Sequence, residues 1–241
     1  TGNGSSLLVS DNLTIGSAGK GSATIADGAS VIAEGASAAG DIFMSLGRQV
    51  SGEGNLTVTG TNSTLFTEEL LIGHNGKGIA KIEDGGLVQA TAMSIGNKKG
   101  SQGNLTVTGT NSKLSIDDYL EIGYEGKGIA TIANEGFVQT DVMSIGSEIG
   151  SEGDLTVIGN NSKLNVTYFL DVGNAGKGSV TIADGASVIV NGISAEGYVP
   201  ISLGRLTSGE GNLTVEGTNS TLFTEELFVG NAGKGSVTIA D

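Results

Sequence analysis

Short runs in which apolar and polar residues alternate recur along the whole chain. The pairs Leu56/Val58, Ala80/Ile82, Leu105/Val107 and Ala130/Ile132 each flank one polar residue. In successive runs that residue is Thr24, Thr57, Lys81, Thr106, Thr131, Thr156, Thr181, Thr214 and Thr238. A period of two predicts β-strands with the flanking pair inward and the threonine column outward. A second set of strands follows the same logic, with Leu120/Ile122 and Met143/Ile145 inward and Glu121 and Ser144 outward. Between the two sets lies a middle strand, clear at Leu114/Ile116 and Leu164/Val166. In residues 87–91 and 137–141 the pattern leaves its faces unassigned.

These strands belong to a repeat. Gly-Lys-Gly recurs with its lysine at Lys20, Lys77, Lys127, Lys177 and Lys234, in steps of 57, 50, 50 and 57 residues. Each step of 50 splits again: residues 104–128 and 129–153 share one layout of strand, turn, strand, turn, strand and glycine-rich loop. One glycine opens every unit: Gly21, Gly54, Gly78, Gly103, Gly128, Gly153, Gly178, Gly211 and Gly235. A second closes every third strand: Gly16, Gly47, Gly73, Gly96, Gly123, Gly146, Gly173, Gly204 and Gly230. A glycine repeated at one register marks a turn that needs positive φ or has no room for a Cβ.

A strand of three to five residues cannot bury its apolar face alone, but identical strands stacked in parallel about 4.8 Å apart share one core. The expected fold is therefore all-β: a three-sided parallel β-helix (β-solenoid) of about nine coils of about 25 residues, a rod roughly 40 Å long. Right-handed coiling is expected from the handedness of parallel connections. A propeller is the alternative, but its blades need about 40 residues and four strands. Residues 1–241 form a single solenoid, and the chain begins and ends inside repeats, as expected for a fragment of something longer.

Composition narrows the function. The 42 glycines come without a G-X-Y period and with one proline, so the chain is not collagen. Without cysteine there is no disulfide framework, thiolate metal site or thiol nucleophile. No run of 18 apolar residues is present to span a membrane as a helix. With a net charge of −14 and two arginines, Arg48 and Arg205, nucleic acid is not an expected partner.

Units of the form GNLTVTGTNSxL…LxIGxxGKGxATIxxGGxV resemble the repeats of Gram-negative autotransporter (type V secretion) passengers, in particular the T5SS/PEP-CTERM-associated repeat. The resemblance covers essentially the whole chain. It implies a right-handed β-helix, secreted or displayed on the cell surface of a Gram-negative bacterium, with a translocator barrel outside this stretch. Passengers of this kind act as adhesins, self-association factors, toxins or host-receptor ligands. The expected partner is a host-cell surface protein or glycan, or a second copy. The alternative is a secreted virulence ligand engaging a host receptor, for example a growth-factor-like, angiogenic passenger. No enzymatic activity, cofactor or metal is expected, since a polysaccharide-degrading β-helix would need acids and a base over an aromatic-lined groove, and aromatics make up 4% of the chain.

Several residues carry candidate chemistry. Lys20, Glu53, Lys77, Gln102, Lys127, Glu152, Lys177, Glu210 and Lys234 form one column of alternating charge, which penalises a one-coil slip. The threonine column is single, whereas an ice-binding face wants two. Acidic turns recur at Glu68–Glu69, Asp117–Asp118 and Glu225–Glu226, with Asp118 stacking on Asp141, and are expected to be a solvated edge. His74, the one histidine, stands at a variable turn position expected in solvent. Nine Asn-x-Ser/Thr sequons, Asn55, Asn62, Asn104, Asn160 and Asn212 among them, are read as turns and strand starts. Two coils, 22–54 and 179–211, run to 33 residues and carry insertions within 34–43 and 191–200. Inserted loops on a solenoid often form its binding face. The binding candidates are therefore Glu34, Asp41, Phe43, Glu196 and Tyr198.

Overall fold

The computed structural model describes residues 4–34, 43–192 and 200–241. Among these residues there are strands and turns but no helix, and every strand pairing is parallel. The chain winds into a β-solenoid of about nine turns, roughly 25 residues apart. The first strands of successive coils, from Lys20–Ile25 to Lys234–Ala240, form one nine-stranded sheet. Middle and third strands form a second, 14-stranded sheet. In four coils the middle and third strands run together as one element: Thr64–Ile72, Leu87–Ile95, Phe137–Ile145 and Lys163–Val172. Elsewhere a short break separates them, as between Lys113–Ile116 and Tyr119–Ile122.

The core is the column of inward pairs. In one coil Leu105, Val107, Leu114, Ile116, Leu120 and Ile122 are all at most 2% exposed. Burying such a side chain stabilises by about 1.5–3 kcal/mol, and each coil repeats the set. The middle strands with ambiguous patterns also resolve. Val88 and Ala90 point inward between Leu87 and Gln89, and Val138 and Thr140 point inward between Phe137 and Gln139. Two features hid this. Phe137 faces outward, where the Lys113 ammonium lies 5.5 Å from its ring centroid. Thr140 is buried, and its hydroxyl donates to the backbone carbonyl of Val142 at 3.0 Å. Thr67, also buried, and Thr224, half-buried, bond the carbonyl two residues on in the same way, so the threonine closes the bend without an unsatisfied hydroxyl.

The turns between first and middle strands alternate in type. One kind, Asp27-Gly28, Asp84-Gly85, Asn134-Glu135 and Asp184-Gly185, places two successive residues at positive φ. The other ends in Asn62-Ser63, Asn111-Ser112, Asn161-Ser162 or Asn219-Ser220, with the asparagine at φ 64–65°. The hydroxyls of Ser63, Ser112, Ser162 and Ser220 accept the backbone N–H of Gly28, Gly85, Glu135 and Gly185 in the coil before. Sequon residues Asn62 and Asn219 thus sit in turns, while Asn55, Asn104 and Asn212 lie in first strands.

The charge column falls into register as the spacing predicts, Lys20 beside Glu53 and so on to Lys234. Lys20–Glu53 closes at 2.8 Å, Lys127–Glu152 at 3.1 Å and Lys234–Glu210 at 3.0 Å. All are exposed, so solvent screens them and they add little stability.

Both glycine columns meet at the corner from third to first strand. The closing column has φ between 63° and 72°. A Cβ on Gly123 would also meet the Glu152 carbonyl of the next coil, with the carbonyl carbon at 2.6 Å. In the opening column a Cβ on Gly153 would strike the Ile122 carbonyl oxygen and lie 2.7 Å from the Gly146 nitrogen. Gly123→Ala should therefore cost about 3–5 kcal/mol, combining left-handed strain with backbone overlap. Gly100→Ala, at φ 84° with open space around it, should cost about 1–2 kcal/mol. Urea midpoints and hydrogen exchange at residues 120–128 measure the difference, and equal effects would contradict the close-approach explanation.

Candidate functional site

The third-strand corner alternates in length. Five-residue corners, 48–52, 97–101, 147–151 and 205–209, alternate with three-residue corners such as 74–76, 124–126 and 174–176. The outward column of the third strand alternates with them. Ser45, Ser94, Ser144 and Ser202 belong to the long-corner coils, and Leu71, Glu121 and Asp171 lie between them. This column was expected to point outward, and it does. It points away from the core, but the long corners fold over it: Ser45, Leu71, Ser94, Asp171 and Ser202 are all under 5% exposed. The result is a covered polar seam along the rod.

Two carboxylates lie in that seam. Asp171, 3% exposed, receives a hydrogen-bonded ion pair from Arg205 of the next long corner. Burial pushes its carboxyl up, and the guanidinium opposes that. The same guanidinium lies 5.9 Å from the Phe169 ring centroid. Glu121 is half-buried and accepts a hydrogen bond from the Ser94 hydroxyl at 3.1 Å. Burial raises its carboxyl to about 7, assisted by Glu148 and Glu69 and opposed by the Ser94 bond and Lys98. Lys98 itself pairs with Glu125 at 3.1 Å and lies 5.7 Å from the Tyr124 ring centroid. Between the corners 97–101 and 147–151 opens a cleft of about 390 Å³, lined by Lys99, Tyr124, Glu125, Glu148 and Ile149.

His74 is not at a solvated turn. It is half-buried, edge-on to Phe43 with ring centroids 5.7 Å apart, and its Nδ1 is buried without a hydrogen-bond partner. Burial lowers its proton affinity, and Lys98 and Arg48 add to this, so it is neutral at pH 7.

Of the five binding candidates, Asp41, Glu196 and Tyr198 lie outside the described residues. Glu34 is exposed at the end of a middle strand and its N–H donates to the Val9 carbonyl. Phe43 opens the third strand rather than a loop. Its ring is half-buried, with the Arg48 guanidinium 5.4 Å from its centroid. Both insertions leave the same corner, between Ala33 and Phe43 and between Val190 and Ile201. The register Tyr119–Val142 sets Asp118 beside Asp141. Among the described residues no group of three or more His, Asp or Glu side chains is placed to hold a metal ion. No helix among them is long and apolar enough to cross a membrane. Sequence reasoning passed over the seam, although its signal was there: a serine precedes every five-residue corner and a different residue every three-residue one.

No family model matches the chain, and no curated protein or solved structure is significantly similar to it.

The state of Glu121 has a thermodynamic consequence. Its carboxyl titrates near 4.5 when unfolded and near 7 when folded. Its stabilisation is complete below pH 4.5, where both states are protonated. It is lost as pH rises toward 7, because the unfolded chain releases its proton first. Glu121→Gln removes this dependence. Between pH 4 and pH 8.5 the wild type should lose up to about 3 kcal/mol relative to the variant. Paired urea titrations at the two pH values measure it, and parallel losses in both proteins would rule out the buried titration.

Proposed function

We propose that the chain is the extended binding rod of a secreted or surface-displayed bacterial protein, of the autotransporter passenger kind that its repeats resemble, acting in adhesion or self-association. The observation that carries this reading is the placement of the two insertions. They leave the same corner of one rigid stack, in coils 157 residues apart in sequence. Six coils separate them, roughly 29 Å along the rod. Two insertions at one repeat position and a fixed spacing suit a repetitive surface. Simultaneous engagement then raises avidity by about 10²–10⁴ without new contacts.

The test is binding of the labelled chain to host cells and to bacteria displaying the same chain, beside variants lacking 35–42, 193–199 or both. Saturable host-cell binding that weakens at least tenfold when either loop is removed supports a bivalent adhesin. Host-cell binding of unchanged affinity after one deletion favours the alternative, a ligand engaging a host receptor through one site. Bacterial binding indifferent to both deletions assigns self-association to the repeat faces. Absence of binding to either surface overturns the reading.

A further inference from the structure

We propose that the seam at Glu121 is a receptor site for an arginine side chain supplied by a partner protein. The repeat contains its own reference for this site. Tyr119 and Glu121 stand exactly 50 residues before Phe169 and Asp171, at the same two positions of the third strand. The pairings Tyr119–Val142 and Val142–Phe169 place the two aromatic residues in one column, two coils apart. In the later coil the guanidinium of Arg205 donates to Asp171 and packs near Phe169. Arg205 is the residue directly after the closing glycine, Gly204. The residue after the corresponding glycine, Gly146, is Ser147. Its hydroxyl reaches only Ser144 of its own strand, at 2.9 Å. The carboxylate and the aromatic ring of the arginine site are thus both kept, and the arginine is replaced by a side chain too short to cross to Glu121.

The surroundings favour a cation from outside. The groups acting on Glu121 are Ser94 and Lys98 from the coil before, Ser144 and Glu148 from the coil after, and Glu69 two coils before, with Tyr119 two residues along its own strand. Glu69 and Glu148 both oppose its ionisation, and the Lys98 ammonium is held by Glu125 at 3.1 Å. An entering guanidinium would supply the missing charge and favour the carboxylate, so binding is coupled to loss of the Glu121 proton. Glu148 also lines the 390 Å³ cleft at this corner, whose rim carries Ile149, 79% exposed. A second copy of this chain does not supply the arginine, because Arg205 is committed to Asp171 and Arg48 packs on Phe43. The site is separate from the inserted coils, and either proposal survives failure of the other.

The experiment titrates acetyl-arginine-amide into the isotope-labelled chain and follows the resonances of residues 94–98, 119–125 and 144–149. Saturable shifts confined to this region are expected. The dissociation constant should fall about tenfold from pH 6 to pH 8, as a group titrating near 7 goes from about one-tenth to nine-tenths ionised. Glu121→Gln and Ser147→Arg should each weaken binding at least tenfold, the first by removing the carboxylate and the second by filling the site from within. If Ser147→Arg does not fold, Glu121→Gln decides. Equal binding of acetyl-citrulline-amide, unchanged affinity in Glu121→Gln, or shifts centred on 68–69 or 117–118 would overturn the proposal. Guanidinium chloride binding as tightly as the arginine amide would overturn the side chain as ligand.

Discussion

The closest approach in this molecule is backbone against backbone, at the corner where each third strand turns into the first strand of the next coil. There the closing glycine of one coil lies against the carbonyl of the residue that precedes the opening glycine one coil further on. Apart from Gly230 in the last coil, neither column has room for a methyl group, and the closing column also requires positive φ. That contact sets how one coil sits on the next. Once it is set, every first strand pairs residue for residue with its neighbours, inward pairs stack on inward pairs, and the lysine/glutamate column follows. The ion pairs are consequences of this register. Being exposed, they add little stability, but a slipped coil would set like charges beside one another.

What could be read from the sequence tracks how many constraints act on a position. The first strand obeys two, alternation and the fixed glycine before it, and its faces are legible in every coil. The middle strand obeys alternation alone, and exceptions blur it. Phe137 is large and outward because a lysine stem and ammonium cover it, and Thr140 is polar and inward because the bend offers its hydroxyl a carbonyl. The third strand was assigned the correct faces, but the cover over its outward face was not foreseen. A period of two distinguishes core from not-core, whereas the cover on the outer face comes from the corners of adjacent coils. Nothing within one strand could report that Ser94 and Asp171 are buried while Glu148 and Ile149 rise over the rim.

The seam shows how a repeat can hold geometry constant and vary chemistry. Leu71, Glu121 and Asp171 occupy one column at two-coil intervals, each between serines. A leucine in that place needs nothing more. An aspartate at 3% exposure needs a cation, and Arg205 provides it from the adjoining corner. Glu121 has a hydrogen bond from Ser94 and, among the described residues, no ion pair; burial raises its proton affinity, with Glu148 and Glu69 adding to it. Burial raises both carboxyls, and the corner residue, arginine or serine, decides whether a guanidinium opposes it.

The same constraint explains where the solenoid admits extra chain. The glycine corner varies only between three and five residues, and at either length the closing and opening glycines keep their backbone contacts. The corner between middle and third strands carries no such contact. It is a bend within one long strand in some coils and a short break in others, closed by threonine hydroxyls or by nothing. Both insertions occur there, and the strands on either side keep their pairing: Ala33 still meets Thr67, and Phe43 still meets Glu69. Length can vary at this corner without penalty to the stack, because the strands that resume after it are held by the coils above and below.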